Sequence, residues 1–202
     1  ASETFVDGKR GKKGNWIWQE FQAFQIENPP PLNRKHLDLL EIYCFEHSKL
    51  TDRVRYRGGK ALRFTMASGN LETIEGRRRL YHILNAYTIT HVWLAPDCNP
   101  WCNWTRFNMN RSLAKFDHVQ SIRLAHQVHL MLCSMIMYHQ ILSGFHLHCH
   151  LEQPSGSDML KQPALQPLIE QTVGSSFDMC ASGLKHPVLP VFFKKRTIVR
   201  TT

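Results

Sequence analysis

The sequence predicts a single α/β domain built on a doubly wound, mostly parallel sheet. Strand-like and helix-like segments alternate along most of the chain, which is typical of a parallel sheet covered by helices. The chain has 202 residues, enough for one sizeable domain, and 43% of them are hydrophobic, which argues against global disorder. We expect this domain to span residues 15–202, after a polar, basic arm at residues 1–14.

The first half of the predicted domain contains two helix–strand units. "WIWQEFQAFQIE" places Trp16, Phe21 and Phe24 at helical spacing, and the prolines of "NPPPL" end this helix. "HLDLLEIYCF" is an apolar run of strand length and is interpreted as the first strand. "KLTDRVRYRGG" is interpreted as a helix stopped by two glycines, and "KALRFTM" as the second strand.

The second half continues the same alternation. "ETIEGRRRLYHILNAY" predicts a helix with a basic outer face, and "ITHVWLA" predicts the third strand. Residues 111–144 read as one long helical region, and "FHLHCHLE" alternates as a fourth strand would. A helix at "PALQPLIEQTVG", a short strand or turn at "SSFDMC" and strand structure within "FFKKRTIVRTT" complete the prediction.

The charge of the chain indicates a polyanionic partner. The formal net charge is +9 and the isoelectric point is near 9.5, which favours nucleic acid first and an acidic membrane surface or acidic protein second. The cluster Arg77, Arg78 and Arg79 is the candidate nucleic-acid-binding surface, together with Lys195. The alternative is a merely solvated helix face.

Other features of composition concern the compartment and the membrane. Six cysteines are spread through mostly apolar stretches, which is typical of a reducing, intracellular compartment, without distinguishing nucleus from organelle. The most apolar stretch, "HLMLCSMIMYHQIL", is interrupted by histidines and too short to span a bilayer. We therefore expect no membrane span.

Three unusual segments follow predicted strands: "CFEHSK", "APDCNPWC" and "LEQPSGS". Ligands of parallel sheets bind beyond the carboxyl ends of the strands, so these segments predict a shared site. Within the second one, Cys98 stands between Pro96 and Pro100, which suits a rigidly presented thiol, and Glu152 closes the next strand as a candidate acid.

Two alternatives compete with a cysteine nucleophile in "APDCNPWC". A zinc site would combine Cys98 and Cys102 with histidines of "HLHCH", namely His146, His148 and His150, but no matched second pair is present. A packed turn that happens to contain sulfur is what the spacing alone favours. We predict no metal.

Four segments, in order, resemble cytosine-C5 methyltransferases. "APDCNPWCNW" resembles the Pro-Pro-Cys motif of that family, and "HLEQP" is similar to its Glu-Asn-Val motif. "LLEIYCFEHSKLTDRV" stands where the family has its first strand and cofactor loop, and "FDMCASGLKHPVLPVFFKKRTIVRTT" resembles a later segment with an Arg-rich strand. The resemblance covers residues 38–202, is shared with similar domains in mobile-element polyproteins, and implies a Rossmann-like methyltransferase fold.

The resemblance implies roles for individual residues. Cys98 would attack C6 of a cytosine that has left its stack, Glu152 would protonate N3, and Arg196 would hold the base or a phosphate. The cofactor would be S-adenosylmethionine. The implied residues of the cofactor site are Tyr43, Glu46 and Asn70.

The sequence also departs from the family, and two functions remain open. The glycines of the family's Phe-x-Gly-x-Gly cofactor loop are absent from "YCFEHS", and the acidic residue expected after the second strand is missing. One function is an active cytosine-C5 methyltransferase on DNA or RNA. The other is a catalytically inactive, methyltransferase-like basic protein that serves as a structural subunit of a large nucleoprotein or organelle assembly.

Overall fold

A computed structural model describes residues 15–144, 147–178 and 196–202. The predicted arm at residues 1–14, His146 and Lys195 lie outside the described residues.

The described chain alternates helices and strands. The helices are α1 (Trp16–Glu27), α2 (Lys49–Tyr56), α3 (Ile74–Ala86), α4 (Asn103–Met109), α5 (Leu113–Ala125), α6 (Gln127–Ser143) and α7 (Gln166–Ile169), with 3-10 turns at Asn99–Trp101 and Asp158–Lys161. The strands are β1 (Lys35–Ile42), β2 (Ala61–Phe64), β3 (Tyr87–Leu94), β4 (His148–Pro154), β5 (Val173–Asp178) and β6 (Arg196–Thr201).

One six-stranded sheet has the order β2-β1-β3-β4-β6-β5. Strands β2, β1, β3 and β4 are mutually parallel, whereas β6 is antiparallel to both β4 and β5. The chain moves outward from β1 to β2 and then returns to the other side of β1 as β3. The strand order therefore reverses between β1 and β3, which is where ligands bind in open α/β sheets.

One face of the sheet, called the closed face here, is covered by α1, α3 and α6. Its apolar side chains include Leu40, Val92 and Leu151, all fully buried. Aromatic rings join the helices above it: Phe21 lies 5.1 Å from Tyr81 between ring centroids. This face supplies the larger part of the core.

The opposite face is covered only in part by the described elements. Helix α2 packs over β1 and β2, while the side chains of β3 and β4 on this side remain half-buried or exposed. Handedness explains the asymmetry. A right-handed crossover from β1 outward to β2 puts α2 on one face, and the return crossovers to β3 and β4 put α3 and α6 on the other. The predicted mixed α/β fold with a mostly parallel sheet is confirmed, but helices cover mainly one face.

Several element boundaries differ from the prediction. The long helical region is two helices, because His126 adopts a turn between α5 and α6. "PALQPLIEQTVG" is helical only over Gln166–Ile169, because Pro163 lies in a turn before the helix and the end of the segment joins β5. Helix α4, after the cysteine turn, was not predicted. Among the described residues, no helix is long and apolar enough to cross a membrane.

Candidate active site at the carboxyl edge of the sheet

Cys98 lies in the segment that follows β3, and Glu152 lies within the neighbouring strand β4, two residues before its end. Strands β3 and β4 are parallel, with Leu94 opposite Leu151, so continuing the register places Ala95 beside Glu152. Beyond that point, the buried amide of Gln153 donates a 2.9 Å hydrogen bond to the carbonyl of Pro96. Strands β3 and β4 are therefore neighbours and a direct bond links the cysteine turn to β4, whereas a cleft shared by Cys98 and Glu152 stays a prediction.

The cysteine turn is anchored by Trp101. This side chain is 1% exposed and lies under the guanidinium of Arg123, 5.1 Å from its ring centroid. Arg123 also donates a 2.8 Å bond to the carbonyl of Pro100, and the amide of Trp101 donates to the carbonyl of Cys98 at 2.9 Å. Cys98 itself is half-buried. The turn thus packs a tryptophan into the core while it keeps Cys98 near the surface.

Cys102, which the sequence offered only as a zinc ligand, lies at the start of α4. Its sulfur lies 3.4 Å from the hydroxyl of Thr105. Burial alone raises the pKa of this thiol, but hydrogen bonds from Thr105 and from backbone amides at the start of α4 outweigh it and lower the pKa. The Cys-x-x-Thr spacing in "CNWT" is the sequence signal for this contact.

Arg196 lies at this edge of the sheet but turns away from Glu152. Glu152 faces Val199 across the antiparallel β4–β6 pair, and Arg196 is three residues before Val199. Since side chains alternate along a strand, Arg196 points to the other face. There its guanidinium forms a 3.1 Å ion pair with Asp178. Its contact with a base or phosphate stays a prediction.

Tyr43, an implied cofactor residue, follows β1 with a φ of 65°, a backbone conformation that glycine adopts far more readily. Its hydroxyl lies 3.2 Å from Nδ1 of His129, and burial followed by Cys133 raises the pKa of this hydroxyl. The other nitrogen of His129 lies 3.5 Å from a carboxylate oxygen of Glu72. These contacts connect three parts of the chain at the point where the strand order reverses: the end of β1, the segment that follows β2, and helix α6.

The other implied cofactor residues are engaged elsewhere. The side chain of Asn70 accepts a 3.0 Å bond from the amide of Glu72, which closes its own turn, while Glu46 is exposed. The start of α2 is occupied by the buried carboxylate of Glu41, which accepts bonds from the Thr51 hydroxyl at 2.6 Å and the Thr51 amide at 3.2 Å. In this arrangement the residues present do not fit a bound S-adenosylmethionine.

One member of the arginine cluster of α3, Arg77, is built into the fold, whereas Arg78 and Arg79 are exposed. Arg77 is 5% exposed and its guanidinium binds both carboxylate oxygens of Glu20 at 2.8 Å. Arg78 is exposed and pairs with Glu27 at 2.6 Å, and Arg79 donates to a backbone carbonyl at 3.1 Å. Arg77 is therefore not presented to a nucleic acid, whereas the roles of Arg78 and Arg79 stay predictions.

Within the part of the chain that the structure describes, no group of three or more His, Cys, Asp or Glu side chains could hold a metal ion. Comparison of the chain with protein families, curated proteins and solved structures finds no match. Its function must therefore be argued from the geometry of its own residues.

Proposed function

We propose that the chain is a methyltransferase-like domain of the cytosine-C5 type that acts on or binds nucleic acid, with Cys98 and Glu152 as its reactive pair. The observation that supports this most is the junction of β3 and β4, where the Gln153–Pro96 hydrogen bond ties the cysteine turn to the strand of Glu152. The mostly parallel sheet is compatible with the Rossmann-like methyltransferase fold that the resemblance implies.

The chemistry of this pair can be written without a methyl donor. The ionised thiol of Cys98 forms a bond to C6 of cytosine, and Glu152 gives a proton to N3 as the ring's electrons move. The product is nucleophilic at C5, so it takes up a proton from water there. Loss of the original C5 proton, return of the N3 proton and cleavage of the S–C6 bond regenerate cytosine. The net result is exchange of the C5 hydrogen with solvent.

This reaction gives a direct test. We expect a cytosine-containing single-stranded oligonucleotide, incubated with the protein in heavy water, to gain deuterium at C5 as measured by mass spectrometry. Cys98→Ser should abolish the exchange, because the hydroxyl is not ionised at neutral pH. Cys102→Ser is the matched control, four residues away in the same turn, and should keep it. Absence of exchange by the wild-type protein, or exchange that survives Cys98→Ser, would contradict the proposed pair.

A second candidate function is a catalytically inactive, basic subunit of a larger nucleoprotein or organelle assembly. The observation that favours it is that His129 bridges Tyr43 and Glu72 where the strand order reverses. The capping of α2 by Glu41 points the same way. Calorimetric titration with S-adenosylmethionine separates the two candidates. The inactive subunit gives no binding heat and no C5 exchange, whereas a working methyltransferase gives both.

A further inference from the structure

The half-open face of the sheet presents a cluster of rings that the proposed chemistry does not use. The cluster, called the histidine face here, consists of His91 and Trp93 on β3 with His148 and His150 on β4. His91 is exposed and the other three are half-buried. Among the described elements, α2 borders this cluster and leaves its surface accessible to solvent.

The rings of the histidine face lie side by side at small interplanar angles. His91 lies 5.2 Å from His148 at 20° and 5.3 Å from His150 at 25°, between ring centroids. Trp93 lies 5.4 Å from His150 at 33°. Hydrogen bonds fix the arrangement, because His150 bonds His91 at 3.1 Å and the hydroxyl of Thr201 at 3.0 Å. The result is a rigid aromatic surface.

Two of the histidine rings, His91 and His150, have a lowered pKa, which favours the uncharged form that suits stacking. Burial, with smaller contributions from His91 and His148, lowers the pKa of His150 to about 4. Burial, followed by His148, also lowers the pKa of His91, although Asp38 opposes the shift. A neutral ring loses less hydration than a charged one when a base covers it.

A basic groove adjoins this surface at the amino ends of the strands. The groove has a volume of about 530 Å³ and is lined by Lys35, Arg55 and Lys60 among others. Arg55 is held in place by two bonds to the carbonyl of Ala61, at 3.0 and 2.9 Å. The ammonium groups of Lys35 and Lys60 belong to exposed residues.

Helix α2 connects the groove to the rings. Its residues Leu50 and Val54 line a pocket of about 420 Å³ shared with Trp93 and His150, and Arg55 lines the basic groove. One further ring, Tyr56, is 82% exposed at the end of α2 and lies under Arg53 at 5.4 Å. Helix α2 therefore borders both the cationic groove and the pocket of the rings, which Asp38 also lines.

We propose that the histidine face and the adjoining basic groove bind single-stranded nucleic acid, with bases stacked on the rings and phosphates held by Lys35, Arg55 and Lys60. Stacking platforms beside a positively charged groove are the means by which proteins hold unpaired strands. A duplex would keep its base faces buried in its own stack and could not use the rings.

The histidine face also leads toward the candidate active site. His148, His150 and Glu152 share one side of β4, about 6.6 Å apart in succession. A strand laid over the rings would thus approach Glu152 as an unpaired strand. This part of the inference rests on the proposed function, whereas binding to the face does not require catalysis.

Binding can be measured by fluorescence anisotropy of a labelled single-stranded oligodeoxycytidine at several salt concentrations. We expect His91→Ala/His148→Ala to weaken binding about tenfold or more with little change in salt dependence, because each ring supports a stacked base. Lys35→Glu/Lys60→Glu should weaken binding and make the slope of log K against log salt less steep by roughly 1.4. Quenching of protein fluorescence by the strand should fall in Trp93→Phe.

The matched control is Arg111→Glu/Lys115→Glu, which removes two exposed cations elsewhere and changes the net charge equally. An affinity close to that of the wild type in this control supports binding of phosphates in the basic groove. An equal loss in the control, unchanged binding in the histidine variant, or no preference over a duplex of the same sequence would overturn the inference. If the histidine variant keeps full C5 exchange at limiting oligonucleotide, the path over the rings to Glu152 is overturned, while the proposed function stands. If the wild-type protein binds the oligonucleotide without C5 exchange, the proposed chemistry is overturned, while binding to the histidine face stands.

Discussion

The two faces of the sheet differ in what their aromatic side chains do. On the closed face, rings such as Phe21 and Tyr81 are fully buried between helices and the sheet. On the histidine face, the rings of His91, His148 and His150 lie at comparable centroid distances but keep access to solvent. Rings at similar distances from one another thus stabilise the fold on the closed face and remain accessible to a ligand on the histidine face.

The largest expected difference between the two faces is in stability. Phe21→Ala should lower the free energy of unfolding by about 3–5 kcal/mol, because it removes a ring packed against Tyr81 and His139 and leaves a cavity. His91→Ala, on the histidine face, should change it by no more than about 0.5 kcal/mol. Urea denaturation of both variants measures the contrast. Equal losses would mean that the histidine face is part of the core.

Half-buried histidines on both faces should make the fold sensitive to acid, namely His139 on the closed face and His150 on the histidine face. Burial, with Arg34 contributing, lowers the pKa of His139 to about 4, against a usual value of 6.5. Between about pH 6.5 and 4, His139 is protonated in the unfolded chain but neutral in the folded protein. The free energy of unfolding therefore falls as the pH drops through this range and then levels off. The loss is at most about 3 kcal/mol. Denaturant midpoints between pH 7 and 4 should decline less in His139→Gln, and an unchanged decline would assign the acid sensitivity to other groups.

A smaller contrast separates two ion pairs that both join α1 to α3. Glu20 pairs with the buried Arg77 and also accepts a 2.8 Å bond from the Tyr81 hydroxyl, whereas Glu27 pairs with the exposed Arg78. Glu20→Ala should cost about 2–3 kcal/mol, because it leaves a buried guanidinium unpaired. Glu27→Ala should cost about 0–1 kcal/mol. Thermal melts of the two variants compare them, and similar shifts would show that Arg77 tolerates the loss of its partner.

The sequence predicted those parts of the fold that depend on local patterns. The aromatic spacing in Trp16, Phe21 and Phe24 predicted α1 correctly, and the apolar runs predicted β1 and β3. The strand alternation of "HLHCHLE" was also visible. It could not show that His148 and His150 face an open side, because that follows from the handedness of crossovers elsewhere in the chain.

The candidate site shows the same limit. The position of Cys98 after a strand could be predicted from the sequence, because an apolar run ends there, whereas Glu152, which was predicted to close its strand, lies two residues before the end of β4. The burial of Arg77 could not be predicted, because its partner Glu20 is 57 residues away in the chain and only tertiary packing brings the two together. The positive φ of Tyr43 was equally hidden, because a tyrosine at that position gives no sign of a backbone conformation that favours glycine.

We propose that the histidine face, and not the arginine cluster of α3, receives the nucleic acid. Ultraviolet crosslinking of the protein to a single-stranded oligonucleotide, followed by mass spectrometry of the crosslinked peptides, distinguishes these two surfaces. We predict crosslinks at Trp93 and His150, and at Tyr56 beside the basic groove. Crosslinks confined to the peptides around Arg78 and Arg79, with none on β3 or β4, would contradict it.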